Sequence, residues 1–188
     1  MKRHFQALLL ALLALPALLS SRPALGQRTY ALGVGGGAAI PVGRLSDAQN
    51  TGYNGIVVLA IGVAELPIGV RFDGIYNNLL NNKLLSPGGS GTPSSDLRIA
   101  GGLFNLVYAF PGTSAKPYLI AGGGIYSTKS DVPGAKAKND FGFNAGLGAT
   151  FALGPFAAFL ESRYHTISRN AADGGVLQFV PITAGLLF

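Results

Sequence analysis

The strongest constraint on the fold lies in the last segment of the chain, Pro155–Phe188. Two apolar runs are joined there by a polar, glycine-containing loop, and the second run alternates. Its every second residue is apolar, namely Val180, Ile182, Ala184, Leu186 and Phe188. Successive side chains of a β-strand point to opposite faces, so this pattern predicts a strand with one apolar face. A strand of this kind at the end of the chain suits a closed barrel, in which the last strand pairs with the first.

The balance of residue types points to a membrane. Apolar residues make up 48% of the chain and charged residues only 12%. The most apolar long segment after residue 26, Ala145–Leu160, is interrupted by the Gly154-Pro155 pair, which is typical of a turn. Lipid leaves no water to satisfy the backbone, so a chain that does not cross as helices must cross as a closed β-barrel.

The N-terminus has the pattern of an export signal. Lys2 and Arg3 precede the apolar stretch Ala7–Leu19, and Ala24–Gly26 is a small-x-small cleavage site. This pattern predicts a signal peptide over residues 1–26 and a single mature domain over residues 27–188.

Charge and cysteine content narrow the possible partners. The net charge of +6 includes three cations in the predicted signal peptide, so the mature domain would carry 11 cations against 8 anions, or +3. This surplus is too small to indicate a nucleic-acid partner. The absence of cysteine excludes disulfides, cysteine-based metal sites and lipid attachment at a cysteine.

Period-two alternation bounded by turn residues predicts eight strands. They are Thr29–Ile40, Asn54–Ala64, Ile68–Asn77, Leu97–Ala109, Pro117–Ser127, Phe141–Ala152, Phe156–Thr166 and Gln178–Phe188. Most have roughly the ten residues of a tilted transmembrane strand. The predicted fold is therefore an all-β, eight-stranded antiparallel up-and-down transmembrane barrel.

The connections between these strands alternate in length. The long ones are Pro41–Tyr53, Asn78–Asp96, Thr128–Asp140 and Ile167–Leu177, and the short ones are Glu65–Pro67, Phe110–Lys116 and Leu153–Pro155. Outer-membrane barrels have long extracellular loops and short periplasmic turns. The alternation therefore favours such a barrel over a soluble β-sandwich.

Several strands show which face meets lipid. In the sixth strand Phe141, Phe143, Leu147 and Phe151 share the apolar face, and small or polar residues lie between them. The faces of the second and fourth strands stay unassigned. Aromatic residues near strand ends are expected in the two interfacial girdles; they are Tyr76, Phe110, Tyr118, Tyr126, Phe141, Phe156, Tyr164 and Phe188.

Charged residues inside strands are the candidate functional group. Arg71 and Asp73 share a face of the third strand, and Glu161, Arg163 and His165 share a face of the seventh. A charge facing lipid costs about 2–4 kcal/mol for a midplane Arg, so both sets should point into the lumen. The lumen of an eight-stranded barrel is just wide enough for side chains to fill, and the third and seventh strands lie across it. We predict a luminal charge network that plugs the barrel; the alternative is a gated ion path or a proton-linked switch through His165.

Four sequence runs resemble the later strands of small outer-membrane β-barrel proteins, the superfamily of the OmpA membrane domain and OmpX. They are PYLIAGGGIY (Pro117–Tyr126), FNAGLGATF (Phe143–Phe151), FLESRYH (Phe159–His165) and VPITAGLLF (Val180–Phe188). The resemblance implies an integral outer-membrane protein in contact with outer-membrane lipid and lipopolysaccharide, expected to be a monomer. It also implies that the barrel-assembly machinery reads the alternating C-terminal residues up to Phe188. The family has no common catalytic residues to transfer, so no catalytic residue is expected here, and we predict no cofactor-binding or metal-binding residue either.

The function expected from these observations is structural or adhesive, with the loops providing envelope integrity or surface contact. A narrow pore is an alternative. A soluble periplasmic barrel similar to the lipocalins is another, and its apolar face would point inward toward a ligand.

An enzyme is the remaining alternative. Outer-membrane lipid A deacylases carry a His-x-Ser run, and here His165 precedes Ser168 by three positions rather than two. That spacing places the two side chains on opposite strand faces, and the only acid after Ser168 is Asp173. A nucleophile needs its base within hydrogen-bond reach, so the pattern argues against this chemistry.

Overall fold

The computed structural model describes residues 30–62, 66–81, 95–132, 134–169 and 175–188. They form a closed barrel of eight antiparallel strands, each paired with its neighbours in chain order. The predicted fold class is therefore confirmed. The predicted signal peptide, residues 1–26, lies outside the described residues.

The strands follow one another with little other secondary structure. They are β1 (Tyr30–Val42), β2 (Gln49–Gly62), β3 (Ile68–Asn81), β4 (Leu97–Ala109), β5 (Ala115–Ser130), β6 (Lys138–Leu153), β7 (Phe156–Ile167) and β8 (Leu177–Leu187). A one-turn helix, α1 (Leu45–Ala48), lies between β1 and β2. Among the residues that the structure describes, no helix has the length and apolar character needed to cross a membrane.

The barrel closes by pairing of β1 with β8. Their register runs from Gly33 opposite Leu187 to Val42 opposite Gln178. The Leu32 amide donates to the Phe188 carbonyl at 2.9 Å, and the Phe188 amide donates back at 2.8 Å. The two strands approach so closely that a Cβ on Gly37 would overlap the carbonyl oxygen of Ile182. This approach explains the glycine-rich sequence of β1.

The two ends of the barrel are distinguished by the strand ends that meet there. Val42, Asn81, Ser130 and Ile167 end their strands at one rim, which we call the loop end; Gly62, Ala109 and Leu153 end theirs at the other, the turn end. The shortest turn follows Leu153 and contains Gly154 at a φ of +63°, a conformation that glycine adopts without steric cost.

The first connection is shorter than the sequence predicts. The expected loop Pro41–Tyr53 reduces to residues 43–48, because β2 begins at Gln49. The polar residues at the start of β2 do not alternate in hydrophobicity, yet Gln49 pairs with Asn81 and Gly52 pairs with Ala39. The hairpins thus continue beyond the apolar part of the wall, where polar residues suit both faces of a strand.

The outer surface is apolar, and the interior holds both apolar side chains, such as Leu79, Ile99 and Phe179, and polar ones. Ile125, Leu147 and Leu106 are each more than 60% exposed on the outside. Fully or nearly fully buried polar side chains inside the barrel include Asn77, Asn105, Asn144, Thr183 and the charged groups described below. The apolar outer wall is that of a transmembrane barrel, whereas the lipocalin-like alternative requires the apolar face of each strand to point inward.

The structure also assigns the two strands whose faces the sequence left open. On β4, Arg98 lies outward with Phe104 and Leu106, while Leu103 and Asn105 point inward. Arg98 shares the lipid-facing parity because it stands at the loop end, beyond the apolar part of the strand. On β2, the alternating residues from Val57 to Ile61 lie outward.

Most of the predicted girdle aromatics are exposed, but two predictions are wrong. Tyr118 and Tyr126 are only 5% and 0% exposed and lie in the lumen. Both share the inward parity of β5 with Ile120. Position near a strand end suggested the interface, whereas strand parity determines the face.

Candidate functional site

Four charged side chains meet in the lumen from opposite walls of the barrel. Arg71 and Asp73 lie on β3, and Glu161 and Arg163 lie on β7. All four are at most 6% exposed. The period of two along each strand places the members of each pair on the inner face, and the eight-stranded topology places β3 across from β7.

Each arginine in this luminal network contacts both acids. The Arg71 guanidinium donates through Nη1 to Oε2 of Glu161 at 2.7 Å and through Nη2 to Oε1 at 2.9 Å. Its Nε donates to Oδ1 of Asp73 at 2.8 Å. Arg163 completes the ring, with Nη1 2.8 Å from Oδ2 of Asp73 and Nε 2.8 Å from Oε1 of Glu161. Two cations and two anions give the network no net charge.

Neutral side chains donate additional hydrogen bonds to the same carboxylate oxygens. The Tyr118 hydroxyl donates to Oε2 of Glu161 at 2.8 Å, and Nδ2 of Asn105 donates to Oδ2 of Asp73 at 2.9 Å. Nδ2 of Asn144 in turn donates to Oδ1 of Asn105 at 2.9 Å. The sequence prediction omitted Tyr118 and Asn105. The inward position of Asn105 could have been predicted, because it lies between the apolar residues Phe104 and Leu106 of β4, which point outward.

This arrangement meets the requirement for burying charge. An isolated ion is very costly in a low-dielectric interior, and a buried ion pair is tolerated only with good geometry and with its remaining polar atoms satisfied. Here each carboxylate oxygen named above accepts at least one hydrogen bond. The side chains also bridge β3 and β7 across the lumen.

His165 lies in the lumen but outside the charge network. Its Nδ1 is 2.9 Å from the Tyr126 hydroxyl, and its ring stacks on Phe179 with centroids 4.8 Å apart and planes 16° apart. The ring is fully buried. Among the described residues, Nε2 of His165 has no hydrogen-bond partner. His165 therefore belongs to a separate aromatic layer.

The His165–Ser168 pair does not converge. Ser168 is exposed, whereas His165 is fully buried. The Ser168 amide donates to the Phe141 carbonyl at 3.0 Å, which holds this part of the chain against β6. The two side chains are thus arranged as their spacing predicts, on different faces.

No group of three or more His, Cys, Asp or Glu side chains that could hold a metal ion occurs in the described part of the chain.

Other ion pairs lie at the loop end. Arg169 is paired with Asp140 at 3.0 Å, and Arg98 with Asp131 at 2.7 Å.

The alternating C-terminal residues lie on the outer face of β8. Ile182 and Leu186 are 43% and 47% exposed, and Val180 and Ala184 share their parity. Phe188 is partly exposed beside β1. Reading of these residues by the assembly machinery stays a prediction.

Comparison with known proteins shows a shared fold. No family model matches the chain, and no curated protein matches it. The crystal structure of Neisserial surface protein A (NspA) is similar with a TM-score of 0.63 and 18% identity, over 85% of this chain and 96% of that one. The N-terminal β-barrel domain of Pseudomonas aeruginosa OprF gives a TM-score of 0.48 at 13% identity, over 84% and 97% of the two chains. A major outer membrane protein of Thermus thermophilus gives 0.49 at 15% identity, over 86% and 99%.

The chain therefore has the fold of the small outer-membrane β-barrel proteins, as its sequence resemblance implied. At this level of identity the similarity to NspA concerns the fold alone.

Proposed function

We propose that the protein is a non-enzymatic, non-conducting barrel of the outer membrane that displays its loops for envelope integrity or surface contact. The observation that carries the proposal is the luminal network of Arg71, Asp73, Glu161 and Arg163. Buried ion pairs across the lumen, closed by 2.7–2.9 Å contacts, suit a plug better than a channel. The apolar outer wall supports placement in lipid.

The export of the protein and its location in the outer membrane are part of the same proposal. Residues 1–26 direct export and are removed, and the outward residues of β8 up to Phe188 direct assembly into the outer membrane. The loop end faces the cell exterior and the turn end faces the periplasm, as in other barrels of this architecture. The mature barrel is a monomer that needs no cofactor.

Fractionation tests the location. We expect the mature chain in the outer-membrane fraction, with an N-terminus at Gln27 and a band that shifts on heating, as folded barrels resist unfolding in detergent. Mature protein recovered in the soluble periplasm would contradict the proposal.

Planar-bilayer recording tests the plug. Purified, folded wild-type protein should leave the bilayer conductance at background, with a water-filled porin as the positive control. Regular conductance steps from the wild-type protein would overturn the proposal in favour of a pore.

A further inference from the structure

Two cations stand side by side on the outer wall at the loop end. Arg98 on β4 is directly opposite Lys129 on β5, and both side chains are exposed. Nη2 of Arg98 is 2.7 Å from Oδ2 of Asp131. Within the described part of the chain, the Lys129 side chain makes no ion pair or hydrogen bond. Arg98, Lys129 and Asp131 together carry one surplus positive charge.

Such a pair is unfavourable by itself. Like charges directly opposite each other on neighbouring strands destabilise a sheet. Asp131 offsets one of the two cations, and the neighbouring acid Asp96 accepts instead from the Asn81 amide at 3.0 Å. The connection after β5 adds the exposed cation Lys136. An external anion would therefore complement the outer face of this cluster, and a phosphate can accept from both an Arg and a Lys.

An apolar groove leads away from the cation pair along the outer wall. It has a volume of about 760 Å³, and its lining residues Ala100 and Ser127 are paired two positions along β4 and β5 from the cation pair. A second groove of about 830 Å³ continues toward the Phe72 and Phe104 rings. The two grooves share the outward residues Val57, Gly74, Gly102 and Ile125. Together they form one continuous apolar groove on the outer surface.

The register explains the depth of this groove. Gly74 and Gly102 are directly paired, so the floor has no side chains there. Val57 pairs with Gly74 on one side, and Ile125 pairs with Gly102 on the other. Both flanking side chains are more than half exposed. The result is a narrow depression with branched aliphatic walls.

We propose that this groove binds an acyl chain of lipopolysaccharide whose phosphate is held by Arg98 and Lys129. The inference rests on the proposed function, because it requires the loop end to lie in the outer leaflet. From Arg98 to Phe104 the strand covers six residues, or about 20 Å at about 3.4 Å per residue. One leaflet contributes about 15 Å of hydrocarbon. A lipid with its phosphate at the cation pair thus extends its chain along the whole groove.

The test measures lipopolysaccharide bound to the folded, full-length mature barrel. The probe is deep-rough lipopolysaccharide titrated against purified barrel in detergent micelles, with bound lipid counted by native mass spectrometry. We expect Arg98→Gln/Lys129→Gln to weaken binding by about tenfold or more, because two charge-assisted hydrogen bonds to phosphate are lost. Lys116→Gln is the matched control, since Lys116 is exposed on the same strand at the turn end. It should leave binding unchanged.

A second variant tests the groove without touching the charges. A Cβ on Gly102 meets no atom within 4 Å, so Gly102→Leu fills the groove without a backbone clash. It should reduce lipopolysaccharide binding severalfold, whereas Gly62→Leu, at a similarly open site at the turn end, should not. Dephosphorylated lipopolysaccharide should bind the wild-type protein as weakly as the double charge variant binds the intact lipid.

Three outcomes would overturn the inference. The first is that the wild type and both variants bind lipopolysaccharide equally. The second is that phosphatidylglycerol binds as tightly as lipopolysaccharide and depends on the two cations to the same extent. The third is that Gly102→Leu changes the oligomeric state, which would mark the groove as a contact between copies. If the protein shows any of these results but is still heat-modifiable and inserted in the membrane, the proposed function is not contradicted. Protein found in the soluble periplasm would remove both.

Discussion

Arg71 on β3 and Glu161 on β7 form a two-point ion pair across the lumen, with N–O distances of 2.7 and 2.9 Å. The two residues are 90 positions apart in the chain. Their strands are opposite members of an eight-stranded barrel, so one arginine and one glutamate are long enough to link the two walls. The pair is a direct contact between the N-terminal and C-terminal halves of the barrel.

Removing one member of this pair should be more damaging than removing both. Arg71→Met leaves Glu161 and Asp73 with one arginine between them, so the lumen gains a net negative charge. We expect a loss of about 3–5 kcal/mol in the free energy of unfolding, the usual cost of breaking a buried ion pair. Urea unfolding of the refolded barrel, followed by the heat-shift of the folded band, measures it.

The double variant Arg71→Met/Glu161→Gln separates charge from packing. It leaves Arg163 and Asp73 as a neutral pair at 2.8 Å, so we expect it to be more stable than Arg71→Met alone. Arg98→Met is the control, because its exposed pair with Asp131 should contribute less than about 1 kcal/mol. A double variant less stable than Arg71→Met would contradict the charge-balance argument.

Shortening both side chains should open the lumen. Arg71→Ala/Glu161→Ala removes one ion-pair link between β3 and β7 and keeps the other, the neutral pair of Asp73 and Arg163, so the barrel should still fold. We expect conductance steps in planar bilayers that the wild-type protein lacks. Arg98→Ala/Asp131→Ala is the matched control, since it removes an ion pair of the same type from the outer rim. If the luminal variant folds but shows no conductance steps, the prediction is wrong and the remaining side chains suffice to close the lumen.

His165 should be replaceable when its partner is replaced as well. Its Nε2 lacks a partner in the described part of the chain, and its ring stacks on Phe179. His165→Phe alone removes the hydrogen bond between the buried Tyr126 hydroxyl and Nδ1 of His165, and losing a buried partner costs about 1–3 kcal/mol. Tyr126→Phe/His165→Phe removes both polar groups and should be nearly neutral or stabilising in urea unfolding. A large loss of stability in the double variant would show that the polar pair itself is needed.

Period-two alternation predicts the face of a residue but not its partner. From the sequence, Arg71 and Asp73 share an inner face, and so do Glu161 and Arg163, because lipid excludes charge. Both the fold class and the strand count follow from the same local signals. The ring of contacts, in which each arginine serves both acids, depends on register and on rotamers across the lumen. Neither the register nor the rotamers can be derived from the residue pattern of a single strand.

The errors have physical causes of the same kind. Tyr118 was expected at the membrane interface because aromatic residues collect there, yet its hydroxyl reaches Glu161 from the inner face of β5. The polar start of β2 at Gln49 lacks alternation, so the sequence predicts a loop there. Outside the apolar part of the wall, backbone pairing alone maintains the strand, and side-chain polarity carries no signal.

Gly146 should be far less tolerant of substitution than Gly102, although both are strand glycines. A Cβ on Gly146 would overlap the Ser162 carbonyl oxygen and crowd the side chain and Cα of Arg163. Gly146→Ala must therefore move β7 or displace Arg163 from the luminal network, and we expect a loss of about 1–3 kcal/mol, typical of overpacking. Gly102→Ala places its methyl group in open space on the lipid side, so its free energy of unfolding should match that of the wild type. The two alanine variants are compared by urea unfolding of the refolded barrel, and equal stabilities would show that β6 and β7 are not packed as closely as Gly146 requires.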